Sequence, residues 1–163
     1  MAATVQIVEK NGAGATATDK TSGTIRFKNA DDATVDIVNP MVVPPSGTDY
    51  SFEKWLRLKV TGGTYTDISN IRAYMDGANG FGTGIGLYAK AVTTYATPAE
   101  ATATTGYTDA FSYTSGSPID LAGDGSTGTG EKGDHLVMIL TVASTASGGM
   151  LTAETLTLAW DEI

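Results

Sequence analysis

Apolar and polar residues alternate with a period of two along most of this chain, and helical periodicity is nearly absent. Thr4 to Glu9 opens the series with Val5 and Ile7 on one face. A loop of Gly, Ala, Thr and Ser follows from Asn11 to Gly23. Thr24 to Lys28 then alternates with Ile25 and Phe27 inward and Arg26 and Lys28 outward, and Thr34 to Val38 repeats the pattern with Val35 and Ile37. The stretch NPMVVPPSG, Asn39 to Gly47, contains Pro40, Pro44 and Pro45, which cannot donate to a ladder, so it reads as an edge segment or extended arm. Tyr50 to Thr61 is the longest strand, with Leu56, Leu58 and Val60 on one face. Phe52 and Trp55 differ in parity, which predicts a bulge or bend near Glu53–Lys54.

Asp67 to Met75 places Ile71, Ala73 and Met75 together, and Ile85 to Lys90 alternates again. Thr97 followed by Pro98 suits the start of a short helix over Pro98–Ala103. Tyr107 to Thr114 is a weaker strand, and Ser115 to Gly133 is a long polar loop. His135 to Val142 (HLVMILTV) is apolar on both faces, the mark of a strand buried on both sides and central in its sheet. Glu154 to Trp160 closes the series with Leu156, Leu158 and Trp160. Short strands separated by turn signals predict an all-β fold, an antiparallel β-sandwich of jelly-roll-like form with one or two short helices; a barrel is second. The organisation expected is an N-terminal strand and flexible arm over 1–23 and a single sandwich domain over 24–163.

The 163 residues suffice for one domain with a real core. Charged residues make up only 17%, against about 25% in typical domains, and Thr, Ala, Gly and Ser fill the difference. The formal net charge of −8 opposes binding to nucleic-acid phosphates or anionic membranes. There is no cysteine, which removes disulfides, thiolate metal sites and thiol nucleophiles. No stretch approaches the about 18 apolar residues of a membrane span, and MAATVQIVEK does not read as a secretory signal. The expectation is a protein made and left in a cytoplasm; a mature secreted fragment with an added Met would read the same.

Candidate chemistry is sparse. Asp76 to Gly86 (DGANGFGTGIG) resembles a phosphate loop only in its glycines: no Lys ends it, and IGLYAK continues as a strand rather than a helix. It reads as a connector rich in turn residues, with Phe81 at its tip. Asp76, Asn79, Asp120, Asp124, Glu131 and Asp134 supply loop oxygens, but neither DGANG nor DLAGDG has the alternating acids and closing Glu of a calcium loop. His135 is the lone histidine: a Ser-His-Asp triad would have to be built on it alone, and one His with no Cys does not assemble a zinc site. Asp31–Asp32 and Asp161–Glu162 read as turn and terminus charges. The aromatic residues, among them Trp55, Trp160, Tyr88, Tyr95 and Tyr107, suit either a core or a sugar platform. No catalytic, cofactor-binding or metal-ligating residue is assigned.

In order and style, NPMVVPPSG, YSFEKWLRLKVT, DISNIRAYMDG, GDHLVMILTV and LTLAWDEI resemble small β-sandwich structural proteins of tailed-bacteriophage virions, the capsid-decorating or cement type, over residues 24–163. That resemblance implies a non-enzymatic head component. Its partners would be the major capsid protein and copies of itself, often as trimers, and it would assemble in the host cytoplasm. A neck, tail or baseplate accessory role and a carbohydrate-binding sandwich are the alternatives. The residues expected to touch a partner are Val5 and Ile7 of the arm, Pro40, Val42, Pro44 and Pro45 of the proline segment, and Asn79 and Phe81 of the glycine loop.

Overall fold

The computed structural model describes residues 2–122 and 127–163. Its strands are β1 (Ala3–Asn11), β2 (Thr16–Asp19), β3 (Thr48–Tyr50), β4 (Lys54–Gly63), β5 (Ile68–Tyr74), β6 (Ile85–Val92), β7 (Thr108–Asp109), β8 (Ile119–Asp120), β9 (Gly130–Ala143) and β10 (Thr157–Glu162). The larger sheet runs β2-β1-β4-β9-β6-β7, with β3 also paired to β9, and the smaller runs β10-β5-β8. Every pairing is antiparallel. The fold is an all-β sandwich. Among the described residues the only helix is a 3-10 turn at Ala110–Ser112, capped by Asp109 accepting the Phe111 N–H. No helix of the described residues is long and apolar enough to cross a membrane.

The alternation explains the core. Leu56, Leu58 and Val60 of β4, Leu87 and Ala89 of β6, and Leu136, Met138, Leu140 and Val142 of β9 project from the larger sheet. Ile68, Ile71 and Ala73 of β5, Ile119 and Leu158 meet them from the smaller one. Full burial of each large aliphatic side chain contributes about 1.5–3 kcal/mol. Trp160 and Leu156 are half-buried against the same cluster. β9 lies between β4 and β6, and His135 to Val142 is buried on both faces. Its second face carries His135, Val137 and Ile139, and Tyr95 lies over His135 there.

The bend expected near Glu53–Lys54 is a break between β3 and β4. Tyr50 pairs with Thr141 and Lys54 with Met138, so one extra residue is inserted opposite β9. Residues 3–19 form the β1–β2 hairpin, whose first strand is paired to β4 along its length.

Four expectations are corrected. Thr24–Lys28 and Thr34–Val38 join no ladder; they belong to a long irregular segment between β2 and β3. No helix forms at Pro98–Ala103, where the backbone instead bonds to the β3–β4 break: Glu53 N–H to Ala99 C=O and Ala101 N–H to Ser51 C=O. Tyr107–Thr114 contributes only the two residues of β7 before the 3-10 turn. The loop drawn to Gly133 already contains β8 and the start of β9.

Candidate docking surface

Lysine is rarely buried unless its ammonium is paired. Here Lys20, Lys28 and Lys54 are all buried, together with Glu9. Register explains Glu9 and Lys54. Glu9 lies opposite Leu56, and Lys54 opposite Met138, so both point to the core side of the larger sheet. The segment from Lys20 to Asp36 closes over them there. Lys54 Nζ donates to Glu9 Oε1 at 2.9 Å and to the Asp32 carbonyl at 2.6 Å. Lys20 Nζ stands 3.6 Å from Glu9 Oε2 and donates to the Thr24 and Ala33 carbonyls at 3.0 and 2.6 Å. Lys28 Nζ donates to Asp32 Oδ2 and Asp36 Oδ1, both at 2.9 Å. The backbone joins in: Lys28 C=O accepts from Phe52 N–H, and Asn29 N–H donates to Asn39 C=O. An irregular segment is thus clasped onto the sheet by buried ammonium groups.

The clasp orients the neighbouring side chains. The carboxylates of Asp32 and Asp36 reach the buried Lys28 while part of each stays exposed, and the aliphatic residues between and beyond them face solvent. Val35 is 48% exposed, Ile37 80%, Val38 58%, Val42 54% and Val43 39%. Val35 and Ile37 were expected inside; they are outside because period-2 alternation defines two faces without saying which is buried. This apolar ridge is held by aspartates beneath it. Asp32 Oδ1 accepts Thr34 N–H at 2.7 Å, Asp36 Oδ1 accepts Val38 N–H at 2.9 Å, and Asp49 Oδ2 accepts Val42 N–H at 3.0 Å. The hydrogen bonds from Lys28 and Thr34 hold the Asp32 carboxyl well below the usual carboxylate range, and those from Lys28 and Val38 lower Asp36. Burial opposes the charge on Lys28, but its two carboxylate partners outweigh it and raise its pKa. Beside the ridge an open groove of about 280 Å³ is lined by Asn11, Thr16, Thr18, Asp31, Asp32, Ala33 and Thr34.

Of the residues expected at a partner surface, Val42 stands on this ridge. Pro40 and Pro45 are exposed beside it and Pro44 is half-buried. The others lie elsewhere. Val5 and Ile7 are half-buried on β1, opposite Val60 and Leu58, and pack against the core. Phe81 is half-buried with its ring edge-on to Phe111, centroids 5.8 Å apart. Asn79 fastens the glycine loop: its Nδ2 donates to Ile85 C=O at 2.8 Å and its Oδ1 accepts Phe81 N–H. Gly84 ends that loop at φ +78°, where a Cβ would meet Ala146 N at 2.7 Å, so its need for glycine is one of conformation and space.

A second cluster lies on the other face of the larger sheet. Trp55, Tyr95 and His135 meet at centroid distances of 5.2 to 5.8 Å, with Lys10 Nζ over the Tyr95 ring. Trp55 is 3% exposed and offers no open ring face. Burial first, then the nearby Arg57, lowers the His135 pKa, and its Nδ1 lies 3.2 Å from the Val92 carbonyl. Burial, with Asp31 nearby, pushes Tyr95 up to about 12.

Four of the side chains considered for a cation, Asp76, Asn79, Asp120 and Glu131, are used locally. Asp76 and Asp120 accept Ala78 and Ala122 N–H groups, and Glu131 pairs with Lys10 and Arg57. Asp124 lies outside the described residues. No group of three or more metal-ligating side chains gathers among the described residues.

Comparison of the chain with protein-family models, with curated proteins and with solved structures finds no match. The ridge left one trace in the sequence: Lys28, Asp32 and Asp36 recur at intervals of four beside an aliphatic run. The same spacing suits solvated turns, and only the burial of Lys28 separates the two.

Proposed function

We propose that this protein is a structural component of a tailed-phage virion, a head decoration protein that stabilises the particle through protein–protein contacts. The observation that carries the reading is the ridge of Val35, Ile37, Val38, Val42 and Val43, presented outward on a segment clasped from below by buried lysines. Exposed apolar surface gathered on one ordered segment is a mark of protein interaction sites. A segment ordered in advance loses little conformational entropy on docking. The β-sandwich supplies a rigid base for it, and a capsid lattice repeats its partner surface so that modest contacts add by multivalency.

Mass spectrometry of particles purified from the phage that encodes the chain tests the proposal. Recovery in a fixed stoichiometry with the major capsid protein is the expected result. Absence from washed, intact particles removes the reading.

A further inference from the structure

The chemistry around the ridge identifies the kind of surface that receives it. Among the described residues Asp31 and Asp49 have no ion-pair partner, while Asp32 and Asp36 expose about a third or more of their side chains, 40% and 34%. The lysines of the clasp are buried below the surface. Arg26, half-buried, is the remaining cation of the segment. The solvent therefore meets an aliphatic crest with carboxylates along its flank, and the groove lined by Asp31, Asp32, Thr16 and Thr18 opens beside it.

We infer that the ridge docks into an apolar groove on a partner protein whose rim carries Lys or Arg, one basic side chain reaching into the Asp31–Asp32 groove. Charge complementarity selects this occupant over a second copy. Two copies meeting ridge to ridge would bring their acidic flanks together, and each chain has a formal net charge of −8. Size points the same way. A standard stable interface engages about 20–30 residues and about 800 Å² on each side. Residues 35–43 offer fewer than half that number, too few for a lasting dimer through this face but suited to repeated attachment on a lattice. The inference rests on the decoration reading for the identity of the partner, and its chemistry is read from the ridge itself.

Cosedimentation with heads assembled without this chain tests it, at 50 and 500 mM salt, using the wild type and the double variant Ile37→Ser, Val38→Ser. Both residues are exposed, so the variant keeps its fold, checked by an unchanged circular dichroism spectrum and melting temperature. A second pair, Val35→Ser with Val42→Ser, repeats the test should the first lose its fold. Expected are wild-type binding that weakens at high salt and a loss of tenfold or more in the variants, since each about 1.4 kcal/mol of lost burial is a factor of ten. Equal binding by folded variants overturns the docking inference while the decoration reading stands. Binding that is insensitive to salt overturns the basic rim. No binding by the wild type overturns both. Ultracentrifugation of the chain alone provides the other arm: a dimer dissolved by the same variants assigns the ridge to a second copy and overturns the heterologous partner.

Discussion

Replacing Glu9 by Gln removes the anion that two buried lysines share. Lys54 Nζ lies 2.9 Å from Oε1 and Lys20 Nζ 3.6 Å from Oε2, and the side chains of Glu9 and Lys54 are both 0% exposed. Gln keeps the volume and one acceptor but leaves two ammonium groups without their counter-charge. Breaking a buried pair from one side costs about 3–5 kcal/mol, because the partner stays buried and uncompensated. At about 2–4 °C per kcal/mol for a chain of this size, the melting temperature falls by roughly 6–20 °C. Scanning calorimetry and urea titration measure it. Hydrogen exchange locates it, since the Phe52 N–H bonded to Lys28 C=O and the Asn29 N–H bonded to Asn39 C=O belong to the clasped segment and exchange faster. The triple replacement Glu9→Leu, Lys20→Met, Lys54→Met removes all three charges of the cluster and recovers more of the loss than any variant that leaves one of the lysines buried without Glu9. A cost for Glu9→Gln below about 1 kcal/mol, the value of an exposed pair, refutes the clasp.

The same geometry has other consequences. His135 has a lowered pKa in the fold, so the unfolded chain binds its proton first; stability declines as pH falls below 6.5, and calorimetry of His135→Phe shows a flatter profile there. Asp32 and Asp36 are lowered, so their contribution is present above pH 3.8 and is lost as pH falls below it through their folded values. Lys28 is raised, so its contribution is present below pH 10.5 and is lost as pH rises through its folded value; exchange of the Val38 and Thr34 amides, measured across pH after correction for intrinsic rates, is slowest between those limits. Gly84→Ala puts a Cβ 2.7 Å from Ala146 N at φ +78° and lowers stability by about 1–3 kcal/mol in urea titration, whereas an unchanged midpoint contradicts the close approach.

The parts of the fold legible in the sequence are those where burial is decided by composition. His135 to Val142 has no polar face to offer solvent, so its central place follows from the residues themselves. The parity of Phe52 and Trp55 pointed to the break that separates β3 from β4, although Trp55 itself lies on the face of the sheet opposite Leu56. The segment from Thr24 to Val38 was not legible because its alternation is symmetric under a flip. Reading Ile37 inward and Asp36 outward satisfies the pattern as well as the reverse. What decides is Lys28, buried by the sheet and in need of two carboxylates, a tertiary demand that no local period encodes. The same holds for Glu9 and Lys54, whose meeting depends on β1 pairing with β4 across 45 residues. Phe81, expected at a partner surface, was misplaced for a similar reason: its ring partner Phe111 lies thirty residues on, at the 3-10 turn.

In the function proposed above, the aliphatic ridge is a face that a partner covers. Cryo-electron microscopy of the intact particle tests it most directly. On the function proposed above, the expected result is density for this sandwich on the head, with Ile37 and Val38 packed against an apolar groove of the capsid subunit and a Lys or Arg of that subunit beside Asp31 and Asp32. A sandwich seated on the head with Ile37 and Val38 facing solvent contradicts it.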